Sequence, residues 1–121
     1  SNSHPHRYIR NCICYSGTPD NESLAQWLAQ TSETARAYAA EYLGLTEQEG
    51  YAWGILRSGL ASVADTFIAQ LQDYLGLGAE ARMNTPGTLS DRNWSWRLQP
   101  GLLTAELAHR LRRMNTMYER L

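Results

Sequence analysis

The segment 8–15, YIRNCICY, alternates apolar with polar residues and is rich in strand formers. This pattern predicts a β-strand. The tripeptide at 17–19, Gly-Thr-Pro, ends the strand, and a helical pattern of apolar residues begins at Leu24. Either Asp20 or Asn21 is suited to cap the first turn of that helix. A strand that leads through a short loop into a helix is typical of α/β proteins.

Two more helices are predicted in the segment that follows. The first of them begins near Ser32, and Gly44 is placed to end it because glycine readily adopts the left-handed conformation of a C-terminal cap. Thr46 and Glu49 have the spacing of a capping box, which predicts the start of the next helix. The apolar face of the helix that begins near Ser32 consists of residues three and four apart: Ala35, Tyr38, Ala39, Tyr42 and Leu43.

The pattern alone leaves the end of this next helix open. Apolar residues keep helical phase over 53–71, which permits a single helix over 47–75. The segment 66–78, TFIAQLQDYLGLG, is equally consistent with a buried strand that leads into a short turn of helix. Gly76 and Gly78 end whichever element forms.

The C-terminal third combines loop, extended chain and helix. Residues 83–88, MNTPGT, are predicted to be loop, and NWSWRL at 93–98 alternates as a short extended segment would. A helix is predicted from Thr104 onward. Its basic cluster at 109–113, HRLRR, lies opposite the apolar face, and a solvated surface is the favoured interpretation over a binding patch. That apolar face consists of Leu107, Leu111, Met114, Tyr118 and Leu121.

The overall composition indicates one globular unit over 1–121. The chain has 121 residues, a net charge of −1 and 43% hydrophobic residues, which suffices for one modest core. With acids and bases interspersed, neither nucleic acid nor a membrane surface is an expected partner. No apolar run is long enough to span a membrane, and no signal peptide is recognised. Residues 1–3, Ser-Asn-Ser, are consistent with the remnant of an expression tag.

The two cysteines, Cys12 and Cys14, are too close in sequence to form a favourable disulfide. Together with His4 and His6 they form at best a weak metal cluster, because zinc sites require better-spaced ligand pairs. Small buried thiols in a cytoplasmic protein are the favoured interpretation. We therefore expect no metal and no cofactor.

Three blocks of the sequence point to one family: YSGTPDNESLAQW at 15–27, ASVADTFIAQLQDYLGLGAEARMNTPGT at 61–88, and NWSWRL at 93–98. In order and spacing they resemble the C-terminal portion of the 4-alpha-glucanotransferases, the amylomaltases or disproportionating enzymes of bacteria and plants. The resemblance extends over nearly the whole chain from about His6, and the middle block is its most specific part.

The resemblance implies an α/β fold that is the C-terminal portion of a (β/α)8 barrel, with about two barrel strands and four or five helices. A complete barrel needs about 250 residues, so the chain would supply roughly the last quarter of the enzyme. Residues 8–15 would form the seventh strand and 66–72 the eighth, with a break near Ser62. Residues 104–121 would form the closing helix.

The resemblance also implies an enzyme that transfers segments of α-1,4-glucan between maltooligosaccharides or starch by a retaining double displacement. Asp20 matches the family's third carboxylate, which stabilises the transition state, and Asn84 matches a position that binds the sugar. Pro19 stands where the family usually has a histidine that contacts the same sugar, so one contact would be missing. From the residues alone, a helix cap is the favoured interpretation of Asp20, and Asn84 is equally well explained as a turn residue.

The nucleophile and the acid/base of the family would lie outside this chain, so we expect the isolated chain to be inactive and to associate with itself. Trp94 and Trp96 either stack on glucose or, more commonly for such aromatics, fill the core. Arg82 and Asp73 are candidates for an ion pair. Two alternatives to a transferase fragment are a helical interaction module, with one helix over 47–75, and a non-catalytic glucan-binding domain.

Overall fold

The computed structural model describes residues 3–121; of the three residues considered as a tag remnant, Ser1 and Asn2 therefore lie outside the described part. The regular elements of that part are two short parallel strands and five α-helices. The strands are β1 (Ile13–Tyr15) and β2 (Thr66–Ile68). The helices are α1 (Leu24–Gln30), α2 (Glu33–Leu43), α3 (Tyr51–Ala61), α4 (Leu71–Tyr74) and α5 (Ala105–Met117). Single 3-10 turns occur at Pro5–Arg7 and Ala79–Ala81.

The strands β1 and β2 pair in parallel, with Cys14 opposite Phe67. Cys14 is buried, and Phe67 lies so close to Gly59 of α3 that any side chain at Gly59 would collide with its ring. The other face of the sheet is exposed, with Ile13, Tyr15 and Ile68 all at least 44% accessible. The helices therefore cover one side of the sheet only.

The predicted strand 8–15 is correct only at its end, where β1 occupies 13–15. The chain bends before it, because the Cys12 amide donates to the Arg10 carbonyl at 2.7 Å. The same carbonyl accepts from the amide of Asp65 at 2.8 Å. These contacts close a turn in place of a longer ladder of paired strands.

The single helix over 47–75 is wrong, and the strand that the resemblance favoured is confirmed over part of its length. Helix α3 ends at Ala61, Ser62 is its C-terminal cap, and β2 follows at 66–68. The rest of the predicted strand, from Leu71, is helix α4. The break therefore falls where it was expected.

The guanidinium of Arg120 holds the connection between α3 and β2. It donates to the carbonyls of Leu60 at 2.8 Å, Ser62 at 3.0 Å, Ala64 at 2.8 Å and Asp65 at 3.3 Å. A helix end leaves carbonyl groups without intrahelical partners. One side chain thus binds a carbonyl of the last turn of α3, that of its cap residue and two further carbonyls of the connection to β2.

The helix starts agree with the sequence pattern to different degrees. Ser32 and Gly44 cap α2 as predicted, with Gly44 in the left-handed conformation. At α1 the prediction is wrong, because Ser23 is the cap and accepts from the amide of Gln26. Ser23 and Gln26 themselves have the spacing of a capping box. That spacing is the signal that would have identified the cap.

The start of α3 is later than the capping box at Thr46 predicts. The Thr46 hydroxyl accepts from the Glu49 amide at 3.2 Å, but residues 47–49 form a turn. Gly50 then adopts a φ of 94°, a conformation that favours glycine, and α3 begins at Tyr51. The carboxylate of Glu49 pairs with Arg57 at 2.8 Å, so it does not close the box.

Helix α5 begins as predicted, with Thr104 as its cap. Its basic cluster is not purely solvated, because the Arg110 guanidinium lies 3.7 Å from the ring centroid of Trp53 on α3. The extended segment predicted at 93–98 is wrong. Residues 91–94 form a turn, and Trp94 has a φ of 61°, which is incompatible with strand alternation.

Helix α3 is at the centre of the core and contacts α1, α2, α4 and α5. Leu56 on this helix is fully buried. The other buried apolar side chains are Cys14, Leu24, Leu45, Leu60, Ala64 and Ala81. No helix within residues 3–121 combines the length and the hydropathy that crossing a bilayer requires.

The N-terminal histidines contact aromatic residues of α2. The His6 Nδ1 atom lies within hydrogen-bond distance of the Tyr42 hydroxyl, and the rings of His4 and Tyr42 meet edge to face.

Burial, with a smaller effect of the Cys14 thiol, raises the pKa of Tyr8 to about 12. Within 3–121, no three His, Cys, Asp or Glu side chains are grouped to hold a metal ion.

Candidate active site

The loop between β1 and α1 presents Asp20 at the tip of a tight turn. The Asn21 amide donates to the Thr18 carbonyl at 2.9 Å, so Pro19 and Asp20 are the two central residues. The Asn21 side chain in turn accepts from the Thr18 amide at 2.8 Å and from its hydroxyl at 3.1 Å. Proline is favoured at the first central position of such turns. The turn therefore accommodates Pro19 and leaves the carboxylate of Asp20 exposed.

The structure brings the two predicted site residues together. The side-chain amide of Asn84 donates to Asp20 Oδ1 at 2.7 Å, and the backbone amide of Asn84 donates to the Pro19 carbonyl at 3.0 Å. Sixty-four positions separate Asp20 from Asn84 in the sequence. The loop after β1 and the loop that carries Asn84 thus form one local structure at the carboxyl ends of the two strands.

A third side chain, Arg82, joins these loops through their backbones. Its Nη2 atom donates to the Asp20 carbonyl at 2.7 Å, and its Nε atom donates to the Asn84 carbonyl at 2.9 Å. Its Nη1 atom lies 3.9 Å from a carboxylate oxygen of Glu22. The predicted ion pair between Arg82 and Asp73 is therefore wrong. An arginine suits this bridge because its planar group carries several donors in fixed directions.

Asp73 supports the base of the Asp20 loop from α4. Its carboxylate is 1% exposed and accepts from the Leu24 amide at 2.7 Å and from the Ser16 hydroxyl at 2.7 Å. The Ser16 oxygen also accepts from the Gln70 amide at 3.0 Å. A buried carboxylate is costly unless it is hydrogen-bonded. These bonds therefore fix the point where the loop leaves the sheet.

Sequence reasoning missed the roles of Ser16 and Asp73. Ser16 follows the last residue of β1 and sits beside β2, where its amide donates to the Ile68 carbonyl at 3.0 Å. Polar residues directly after a strand were a usable signal for Ser16. No local pattern identifies Asp73 as the partner, since that contact spans 57 positions.

The pair Asp20 and Asn84 retains unused hydrogen-bonding capacity. Within residues 3–121, neither Asp20 Oδ2 nor Asn84 Oδ1 has a hydrogen-bond partner. An ionised carboxylate accepts only, and an amide both donates and accepts. The arrangement can therefore bind neighbouring hydroxyl groups, with the negative charge on the Asp20 side.

The two tryptophans take different places. Trp94 is 54% exposed, and its amide donates to the Met83 carbonyl beside Asn84. Trp96 is partly buried and lines a cavity next to Arg82. Neither ring is fully buried in the core of the described chain.

Comparison with known proteins agrees with this picture. A family model described as 4-alpha-glucanotransferase matches residues 1–104. The 4-alpha-glucanotransferase of Clostridium butyricum is 46% identical over 117 residues, which cover 96% of this chain and 24% of that protein. That of Thermus thermophilus is 41% identical over 124 aligned positions, which cover 97% of this chain and 25% of the relative.

A solved structure of an amylomaltase also matches this chain. The amylomaltase from Streptococcus agalactiae, in complex with acarbose, matches 99% of this chain and 24% of its own length. The TM-score is 0.94 at 36% sequence identity. The fold and its polar loops thus define an α/β segment of amylomaltase type. This chain belongs to the 4-alpha-glucanotransferase family, and it spans about a quarter of the length of the relatives it matches.

Proposed function

We propose that this chain is the C-terminal portion of the (β/α)8 barrel of a 4-alpha-glucanotransferase and supplies part of its active site. In this proposal Asp20 stabilises the transition state and Asn84 binds the sugar of an α-1,4-glucan. The hydrogen bond of 2.7 Å between their side chains is the observation that carries the proposal. The solved relative with bound acarbose supports a carbohydrate ligand at a family site.

A retaining transfer between glucans requires a nucleophilic carboxylate and a second carboxyl group that acts as acid and then as base. In our proposal both come from the part of the enzyme outside this chain. Asp20 contributes a third, fixed negative charge beside the positive charge that develops on the sugar ring, which lowers the barrier. Asn84 occupies one oxygen of Asp20 and so directs the other toward the sugar.

In this proposal Pro19 weakens sugar binding, while the turn that presents Asp20 forms with proline in place. Family members usually carry a histidine at this position, and proline has no side-chain donor to replace it. The carbonyl of Pro19 nevertheless accepts from Asn84, and the turn that presents Asp20 is closed. The proposal therefore includes one missing sugar contact within an otherwise ordered site.

The two short parallel strands support a place at the end of a barrel, where 13–15 and 66–68 would belong to the seventh and eighth strands. The parent enzyme would act on maltooligosaccharides or starch in the cytoplasm, without a metal or another cofactor. Its partners would include neither nucleic acid nor membrane.

The test is a chimera in which this chain replaces the matching 117 residues of the Clostridium butyricum relative. We expect the chimera to convert maltotriose to longer and shorter products, and the isolated chain to convert none. Asp20→Asn should lower kcat by about a hundredfold or more, the usual effect of removing transition-state charge stabilisation.

The matched control is Asp65→Asn. Asp65 is also exposed, but it precedes β2 and therefore lies at the opposite end of the sheet. Its substitution should leave kcat within about twofold of the parent chimera, as expected for a surface site. Full activity of the Asp20→Asn chimera would overturn the proposed role.

A further inference from the structure

A cavity of about 510 Å³, lined mostly by residues with polar side chains, lies next to the pair Asp20 and Asn84. It is enclosed by α1, by the turn at Ala79–Ala81 and by the loop that carries Asn93 and Trp96. Its volume falls within the range of small-molecule sites. Arg82 lines the cavity and also holds the Asp20 carbonyl, so the cavity and the candidate active site share a wall.

Two side chains on the cavity wall have unused hydrogen-bonding groups. Gln26 lines the cavity, and within residues 3–121 its Oε1 atom is buried without a partner. A buried acceptor without a partner is unfavourable, so a ligand that donates to it gains affinity. In the same part of the chain, the guanidinium of Arg92 makes no hydrogen bond or ion pair. Both groups therefore have capacity for a ligand.

The charges on the wall favour a neutral ligand over an anion. Arg82 already donates to two backbone carbonyls and lies near Glu22. Glu80 accepts from the Gly78 amide at 3.0 Å, and backbone hydrogen bonds lower the pKa of its carboxyl. Its negative charge opposes an anion beside Arg92. A neutral ligand with many hydroxyl groups meets both donors and acceptors here.

The cavity also offers an aromatic surface. Trp96 is partly exposed and lines the cavity together with Thr85, the residue after Asn84. An indole ring provides an apolar face with a polar N–H at its edge. The apolar face of a sugar ring packs on such a surface while its hydroxyls reach the polar groups around it.

We propose that this cavity binds one further glucosyl unit of the oligosaccharide that the Asp20 site holds. Trp96 packs on the ring, Gln26 and Arg92 bind its hydroxyls, and Arg82 separates the two positions. This inference rests on the proposed function, because the ligand is the same glucan. It adds a binding position beyond Asp20 and Asn84.

The experiment titrates the 15N-labelled chain with maltotriose and follows signals by NMR. We expect saturable shifts of the Gln26 side-chain amide and of the Trp96 indole N–H. The Asn84 side-chain amide reports separately on the Asp20 site. Inorganic phosphate is titrated in parallel as the anionic probe.

A pair of variants on α1 tests the polar contact. Gln26→Leu should weaken maltotriose binding about two- to tenfold, the effect of one lost hydrogen bond. Gln30→Leu is the matched control, because Gln30 is exposed on the same helix and does not line the cavity. It should leave the dissociation constant unchanged.

The pattern of shifts decides whether the cavity binds a glucosyl unit of the same oligosaccharide. Shifts at Asn84 without shifts at Gln26 and Trp96 would overturn this inference and leave the proposed function standing. Shifts at Asn84, Gln26 and Trp96 together support the inference. Shifts at Gln26 and Trp96 alone would count against the Asp20 site and overturn the role of the cavity as its extension. Saturation by phosphate but not by maltotriose, or no shift at either site, overturns the inference.

Discussion

At the scale of single residues, the candidate site depends on backbone contacts as much as on its reactive group. Asp20 is exposed, and its position follows from the turn around it and from Asn84. Arg82 binds one carbonyl on each of the two loops at 2.7 and 2.9 Å. The distance between the carboxylate and the amide is therefore set in large part by a side chain that touches neither of them.

We predict that Arg82→Ala lowers kcat of the chimera by up to about a hundredfold, because small displacements of catalytic groups have effects of this size. Arg82→Lys should recover only part of the loss, since an ammonium group cannot reproduce two donors in fixed directions. Steady-state kinetics with maltotriose measures both variants.

The control for this prediction is Arg97→Ala. Arg97 is exposed, and within residues 3–121 its side chain donates only to the carbonyls of Trp94 and Trp96. Its substitution should change kcat little. Equal activity of Arg82→Ala and the parent chimera would show that the two loops hold their geometry without the bridge.

The sequence identifies the site residues Asp20 and Asn84, but not the contacts by which Asp73 and Arg82 hold their loops in place. Asp20 and Asn84 were identified because the motifs around them resemble those of a known family. The structure places their side chains in contact. The partners of Asp73 and Arg82 depend on how α4 and the loops meet in three dimensions. An Arg and an Asp nine positions apart suggested an ion pair, yet each binds backbone groups of other segments.

At the scale of elements, the connection from α3 to β2 determines the architecture. Apolar residues stay in helical phase across this connection, so periodicity did not indicate that the helix ends at Ala61. Arg120 donates to the carbonyls of Leu60, Ser62 and Ala64 at this connection. The spacing of apolar residues gives no sign of that contact. Caps such as Ser32 and Gly44, by contrast, act within a few residues and were predictable.

The aromatic segment after the Asn84 loop shows the same limit. Alternation of Trp94 and Trp96 predicted extended chain, but Trp94 adopts a left-handed backbone conformation. The Trp94 amide donates a hydrogen bond to the Met83 carbonyl. A hydrogen bond to a residue eleven positions earlier thus outweighs the alternating pattern, as contacts outside a short segment commonly do.

We predict that Arg120→Ala lowers the free energy of unfolding by about 3 kcal/mol, since hydrogen bonds from charged groups are strong and their loss leaves several carbonyls unpaired. Urea denaturation monitored by circular dichroism measures the change. Arg112→Ala is the control, because Arg112 is exposed on α5 and its loss should alter stability by less than about 0.5 kcal/mol. Equal midpoints for the two variants would contradict the prediction.

At the scale of the whole molecule, the sheet is incomplete on its own. Its two strands have no other strand partner within residues 3–121, so each presents an open edge. Ile13, Tyr15 and Ile68 form an uncovered apolar face between those edges. Open edges and bare apolar faces promote association with other chains.

We predict that the isolated chain associates with itself through this face. Light scattering at rising concentration should give a mass above that of one chain, and Ile68→Lys should shift it toward the monomer because a charge on the face must be desolvated to associate. Val63→Lys is the matched control, since Val63 is similarly exposed at 52% but lies outside the strands. A clean monomer of the natural chain at high concentration would contradict the prediction. Equal loss of association in both variants would mean that general charge, and not the sheet face, governs assembly.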